Sequence, residues 1–410
     1  MPSSDTLSQH FLSELPISKH QAAALKSQAV KRHKGRDLKV AAEALEREAE
    51  LHRDAPRVHF FRRLGVYWGF LDADGLASLK ACERVESIHE ATQLSLIVPK
   101  EIQAATASED PLWNLADFKP LWDQGLEGAN VLVGHLDTGV DGGHPAFHGK
   151  TIRFLEVDAD GDVVDGSTNK PRDSGRHGTH TAATICGDSV EGTRVGVAPK
   201  AELVSAMVIE GGKTELRTLV GLEWALEQGV QVVNMSMGWT GYNPFFESVL
   251  AKLRDHDVIP VVAVGNEGIN TSRSPGNYET VISVGAVDRA GSVPGFSSSE
   301  VVQSKKDPIK PNLVAPGVGI ISARAGGGLL SMDGSSMATP HVTGLIACLL
   351  GVTGATPALV QKSILGTAGP LAHVSMLRQG EGRISPTAAL RTLEELVKHN
   401  QPRPQKRRKS

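Results

Sequence analysis

The stretch Gly334-Ser-Ser-Met-Ala-Thr-Pro-His-Val-Thr-Gly344 runs directly into the apolar segment Leu345 to Leu350. A turn of small residues delivers a serine to the start of a helix, and the helix is apolar enough to be buried. The outward-pointing N–H groups of a helix start stabilise anionic charge. A serine presented there can serve as a nucleophile. It can equally be an N-cap on a core helix. This stretch alone leaves both readings open.

The texture around it sets the fold class. From Trp113 to about Leu396, short β-branched apolar runs alternate with helical segments. The runs are Val131 to Leu136, Leu203 to Ile209, Val230 to Met235, Val258 to Val264 and Val281 to Val287. His177 to Gly187 and Thr214 to Gln228 read as helices between them. Continuously apolar strands alternating with helices predict an α/β fold whose parallel sheet is sandwiched by helices. Functional side chains in such sheets sit beyond the carboxyl ends of the strands.

Ahead of this domain the texture differs. Residues 1–55 are polar and rich in Ala, Lys and Glu; Lys19 to Leu51 reads as one or two helices in a polar N-terminal extension. Residues 56–98 read as a small α+β unit: β-runs at Val58 to Phe60 and Leu64 to Trp68, a helix over Asp72 to Ala81, and a β-run over Val85 to Ile97. Residues 99–112 read as a linker, 113–396 as the main domain, and 397–410 as a basic tail. The end of that tail, Lys406-Arg-Arg-Lys409, reads as a solvated disordered terminus.

Composition excludes several classes. The chain has 410 residues with 43 Lys and Arg against 46 Asp and Glu, a net charge of −3, so it is not a nucleic-acid binder as a whole. Its three cysteines, Cys82, Cys186 and Cys348, are too scattered for a disulfide framework. No run reaches the roughly 18 apolar residues of a membrane span. The start lacks a basic and apolar leader, which predicts a cytoplasmic protein; export without a signal would leave the same pattern.

Four polar positions fall at strand ends or helix starts. Apolar residues lead straight into Asp137, in His135-Leu-Asp137-Thr-Gly-Val-Asp141. A lone Asp-Thr-Gly also suits an aspartic protease, but no second copy is present. His177-Gly-Thr-His180 opens a helix. The pair could share a metal, yet only Cys186 or Asp137 is near enough in sequence to complete a site. The better use is His177 as a general base, with His180 structural. Asn266, in Gly265-Asn-Glu-Gly268, follows an apolar run and can present its amide to a developing oxyanion. The order Asp137, His177, Asn266, Ser336 contains one of the known triad orders, Asp then His then Ser.

At these residues the chain resembles the subtilisin-like serine proteases, or subtilases. Leu136-Asp137-Thr-Gly-Val-Asp141 with His144-Pro145, His177-Gly-Thr-His180, Asn234-Met-Ser236-Met-Gly238, Gly265-Asn266-Glu-Gly268 and Gly334-Ser-Ser336-Met-Ala-Thr-Pro-His341 carry the resemblance. Gly196-Val-Ala-Pro199 and Gly382-Arg-Ile fit too. The resemblance implies a serine endopeptidase with Ser336 as nucleophile, His177 as base, Asp137 as its orienter, and Asn266 with the Ser336 N–H as oxyanion hole. Ser236, Met237 and Gly238 would bind the substrate backbone by strand addition. Substrates would be proteins or peptides, with no nucleic acid or membrane partner. A catalytically silent protein of the same fold, acting by binding, is the alternative.

The resemblance also implies that residues 56–98 are an inhibitory prodomain, carried by Leu79-Lys-Ala-Cys-Glu-Arg-Val85-Glu-Ser-Ile88-His-Glu. Its last strand would enter the cleft, and the stretch from Leu94 to about Pro111 would hold the self-cleavage site. No cofactor is required. Calcium fits many family members, but Ala146 stands where their common site has Asp, and the loop Asp188 to Val195 lacks the usual amides. Asp158-Ala-Asp160-Gly-Asp162 opens like a calcium loop but lacks the distal Glu, so a hairpin turn is expected.

Overall fold

The computed structural model describes residues 8–12, 59–71, 73–82, 85, 87–104, 113–167, 170–303, 306 and 308–400. The first part is a three-stranded antiparallel sheet of β1 (Ser8–Leu12), β2 (His59–Phe61) and β3 (Val66–Leu71) in the order β1-β3-β2, followed by α1 (Ala73–Lys80). One piece of the expected helical extension is therefore a strand, at residues 8–12. The helices expected over Lys19 to Leu51 and the basic tail beyond residue 400 lie outside the described residues.

Among the described residues, the β-run expected over Val85 to Ile97 does not form. Only β4 (Ser95–Leu96) is a strand there, and it pairs with the main domain rather than with β2 or β3. The expected linker 99–112 opens with β5 (Glu101–Ala104).

The main domain then lays down β6 (Leu132–Asp137), β7 (Ile152–Glu156), α2 (His177–Cys186), β8 (Glu202–Met207), α3 (Thr214–Gln228), β9 (Val232–Met235), β10 (Met237–Thr240), α4 (Glu247–Asp255), β11 (Ile259–Ala263), β12 (Arg273–Ser274), β13 (Ile282–Val287), β14 (Leu313–Pro316), β15 (Ile320–Ala323), β16 (Leu329–Asp333), α5 (Ser335–Leu350), α6 (Pro357–Leu365) and α7 (Pro386–Asn400). Seven strands form one parallel sheet in the order β14-β13-β11-β9-β6-β8-β7.

Side-chain alternation sends the two faces of this sheet into two cores. Val133, Val232 and Val261 pack with Ile185 of α2 and Val342, Leu345 and Ile346 of α5. Leu136, Val233 and Val262 pack with Leu219 and Leu222 of α3 and Leu250 of α4. Helix α5 is buried from Ser335 to Leu349: its second half is the apolar run from Leu345, and in its first half Thr339 and Thr343 donate their hydroxyls to carbonyls four residues back. Helix α7 buries Pro386, Ala389, Leu390, Leu393 and Val397, one stripe at helical spacing. No described helix is long and apolar enough to cross a membrane.

The N-terminal unit shares the second core. Phe61, Leu64, Trp68 and Leu94 are buried in it, and each side chain of that size adds on the order of 2 kcal/mol on burial. The docking is also polar: the Glu223 carboxylate of α3 accepts the Arg63 N–H at 3.0 Å and the Leu64 N–H at 3.2 Å.

At the carboxyl edge of the sheet, β6 ends on Asp137, β9 stops just before Ser236, and β11 stops just before the turn holding Asn266. The residues Asp158 to Asp162 form a hairpin turn. The Asp158 N–H donates to the Asp162 carbonyl at 2.9 Å, and its Oδ1 accepts the N–H groups of Asp160 and Asp162.

Candidate active site

Asp137 is the last residue of β6 and fully buried. Its Oδ1 accepts from His177 Nδ1 at 2.7 Å and from the Thr138 N–H at 2.8 Å. Its Oδ2 accepts from the Thr181 hydroxyl at 3.2 Å. Burial pushes the carboxyl's pKa up, but the charge and hydrogen bond of His177, the charge of His135 and the Thr138 N–H outweigh it and hold it below the usual carboxylate value. With Nδ1 committed to Asp137, His177 has Nε2 available to take a proton. That nitrogen is buried and has no hydrogen-bond partner among the described residues.

His177 is the first residue of α2, and the start of that helix is held by Asp173, which sequence reading passed over. Asp173 Oδ2 accepts from the Thr179 N–H and hydroxyl at 2.8 and 2.6 Å, and Oδ1 accepts from the Thr138 hydroxyl and the Gly175 N–H. One carboxylate thus ties the helix that carries the histidine to the loop that follows the aspartate. His180, one turn on, shares its Nε2–H between the carbonyls of Ile320 and Leu330 at 2.9 and 3.1 Å.

Ser336 is the second residue of α5, placed where the helix N–H groups face outward. A side chain at Gly334 would crowd the site: a Cβ would come 3.0 Å from Asn266 Nδ2 and push on that amide. The Asn266 amide is aimed by Ser335, whose N–H and hydroxyl both donate to Asn266 Oδ1 at 2.9 Å. That contact leaves Nδ2 facing the cleft. Pro340 sits inside α5 and has no N–H for the carbonyl four residues back, that of Ser336. The Ser236 hydroxyl donates to that carbonyl instead, at 3.4 Å.

The cleft is threaded by the chain's own residues 94–104. Ser95 and Leu96 pair antiparallel with Gly238 and Met237. The Ile97 N–H donates to the Ser236 carbonyl at 3.1 Å, and the Thr214 hydroxyl donates to the Leu94 carbonyl at 2.9 Å. Ser336 Oγ donates to the Ile97 carbonyl at 3.0 Å, and Asn266 Nδ2 to the next carbonyl, that of Val98, at 3.0 Å. Ile97 is wholly buried while Val98 is 63% exposed. Beyond the serine, Lys100 donates to the Asp333 carbonyl and β5 pairs antiparallel with β16.

The structure thus joins Asp137 to His177, and sets Ser336, Asn266 and the 236–238 strand around one peptide segment. It shows no hydrogen bond between Ser336 and His177, because the serine hydroxyl is engaged by Ile97. Of the expected backbone-binding residues, Met237 contributes only main chain; its side chain is buried beside Thr218. Arg273, another residue that sequence reading missed, donates to Ser95 Oγ and to the Gly238 carbonyl, both at 2.9 Å, while paired with Glu267 at 2.8 Å.

Comparison with known proteins identifies the family. The subtilase family matches residues 128–394. Subtilisin from Bacillus pumilus is 34% identical over 276 residues, which cover 66% of this chain and 94% of that protein. Subtilisin NAT from Bacillus subtilis subsp. natto is 35% identical over 236 residues; they cover 56% of this chain and 58% of the relative, so the match spans little more than half of it. Among solved structures, fervidolysin from Fervidobacterium pennivorans, a keratinolytic enzyme related to subtilisin, aligns with a TM-score of 0.66 at 25% identity, covering 87% of this chain and 59% of that one. A family match over most of the chain, lying on the same parallel sheet that gathers Asp137, His177, Asn266 and Ser336 at one edge, means that the chain belongs to the subtilase family.

Proposed function

We propose that this chain is a serine endopeptidase that hydrolyses peptide bonds in protein or peptide substrates and holds itself inactive with its own N-terminal unit. The observation that carries this is the pair of contacts from Ser336 Oγ and Asn266 Nδ2 to consecutive carbonyls of one extended segment, beside a histidine fixed by a buried carboxylate.

In the reaction, Ser336 Oγ attacks the scissile carbonyl carbon as His177 Nε2 takes its proton. Asp137 keeps Nδ1 protonated and stabilises the imidazolium. The Asn266 amide and the Ser336 N–H stabilise the tetrahedral oxyanion. The C–N bond then breaks as His177 returns the proton to the leaving amine, and water repeats the sequence to release the acid. Backbone pairing with Ser236 to Gly238 holds the substrate extended. These groups carry every step without a cofactor.

Residues 94–104 occupy the track a substrate would use, tethered in cis. The Ser336 hydroxyl donates to the Ile97 carbonyl oxygen, and the Asn266 amide is engaged one residue further on. This arrangement supports inhibition: the nucleophile and the oxyanion donor hold the oxygens of two different carbonyls, so neither peptide bond has both groups on its own carbonyl.

A fluorophosphonate probe tests the reading. The processed protein labels and Ser336→Ala does not. Absence of labelling in processed wild type would favour the silent, binding alternative. Intact mass then locates the cut: wild type loses its N-terminal unit at a bond between Leu94 and Pro111, and Ser336→Ala stays whole. An uncut wild-type chain with full activity would overturn the self-inhibition.

A further inference from the structure

His135 lies on β6, the strand that delivers Asp137, two residues earlier and therefore on the same face of the sheet. It is completely buried. An imidazole at this depth needs partners for both nitrogens, and the structure supplies them. Nδ1 is 3.0 Å from Ser205 Oγ on the adjacent strand β8, and Nε2 is 2.9 Å from Thr181 Oγ1 on α2. Nε2 also lies 3.8 Å from Asp137 Oδ2.

The single hydroxyl proton of Thr181 has several acceptors in reach: Asp137 Oδ2, and the carbonyls of His177 and Gly178, each at 3.2 Å. The tautomer of His135 decides whether that proton reaches any of them, and the charged Asp137 Oδ2 is the strongest acceptor of the three. With the proton on Nε2, His135 donates to Thr181 Oγ1, the Thr181 proton goes to Asp137 Oδ2, and Ser205 donates to Nδ1. Every group is then satisfied. With the proton on Nδ1, a bare Nε2 lone pair would face the carboxylate and capture the Thr181 proton, leaving Oδ2 without that donor. The first arrangement is electrostatically favoured.

We propose that His135 is a positioning residue for the reaction: its Nε2–H orients the Thr181 hydroxyl onto Asp137 Oδ2 and so fixes the carboxylate from the side His177 does not touch. This rests on the reading of Asp137, His177 and Ser336 as the triad. The charged groups facing His135 are Asp137 on its own strand, His177 on α2 and Asp173 in the preceding loop. Burial lowers the pKa of His135 and prevails over the pull of the two carboxylates. It therefore acts as a neutral donor and does not compete with His177 for the charge of Asp137.

The test compares His135→Val, Thr181→Val, the double variant and His135→Gln as processed enzymes, with rates normalised by fluorophosphonate active-site titration. In His135→Val, kcat falls about three- to tenfold with KM little changed, the range of one hydrogen bond. The acidic limb of its kcat/KM profile moves to higher pH, because a carboxylate that has lost a donor holds the protonated imidazole more tightly. Thr181→Val behaves alike, the double variant is no worse than Thr181→Val, and His135→Gln, which keeps a donor near the Nε2 position, recovers most of the rate. An unmoved limb with only a lower Tm would overturn the proposal, as would losses that multiply in the double variant. If wild type itself fails to label, the triad reading falls and this one with it; labelled wild type with an unmoved limb removes this inference alone.

Discussion

Ser336 Oγ and the carbonyl oxygen of Ile97, 239 residues apart in sequence, are joined by a hydrogen bond of 3.0 Å. The hydroxyl that would attack a substrate is spent on the chain's own backbone. Ile97 is held in place by its N–H on Ser236 and by complete burial.

A charge at position 97 should therefore release the site. Ile97→Asp places a carboxylate in a wholly buried position, at a cost of several kcal/mol. The unprocessed variant should react with a fluorophosphonate at least about tenfold faster than unprocessed wild type, since 1.4 kcal/mol already gives that factor. Equal labelling rates in the two folded proteins would refute the plug.

The oxyanion donor and its support should separate by size. Asn266→Ala should reduce kcat by about 10²–10³, the magnitude known for removing such a donor in a subtilisin, with KM nearly constant. Ser335→Ala removes one of two hydrogen bonds that aim Asn266 and should cost about tenfold. Steady-state kinetics on titrated enzyme checks both, and a Ser335→Ala loss equal to that of Asn266→Ala would contradict the supporting role.

Asp173 should matter for stability as well as for rate. It accepts at the start of α2 and from Thr138, so Asp173→Ala should lose at least the ~1 kcal/mol of a helix cap. It should also lower kcat through the displaced His177. Urea unfolding in a Ser336→Ala background measures the first effect free of autolysis. An unchanged midpoint would show that the helix start is held by other contacts.

Acid should weaken the fold early. Burial pushes the His180 pKa down to about 3 and that of His341 down to about 4, against the lift from their hydrogen bonds to backbone carbonyls. In the unfolded chain both titrate near about 6.5. Below that pH the unfolded state binds protons that the folded state refuses, so stability falls as pH drops from about 6.5 towards 4. The slope is about 1.4 kcal/mol per pH unit for each histidine. Tm of Ser336→Ala should decline steadily from pH 7 to 5, and a level Tm across that range would disprove it.

The central sheet was legible because its strands are covered on both faces and so read as unbroken apolar runs. β7 and β14 escaped notice: they are the edge strands, and Arg153, Glu156 and Pro316 interrupt their pattern. Val85 to Ile97 misled for a related reason. Its apolar residues, Leu94 and Ile97 above all, are shaped to dock on another surface rather than to pair within a sheet of their own. The four residues at the cleft could be found from motif order. Asp173, Ser335, Thr181 and Arg273 could not, because their value lies in hydrogen bonds to side chains and backbone far away in the chain.

The threading of residues 94–104 has a consequence for the solution behaviour of the protein. β4 covers one side of β10, and β5 covers one side of β16. Once the segment departs, both strands carry an open row of N–H and C=O groups. Such rows recruit any extended chain nearby, including a second copy of the same protein. With the segment in place the two strands are guarded against cross-molecule strand pairing; the proposed self-processing would exchange that guard for access.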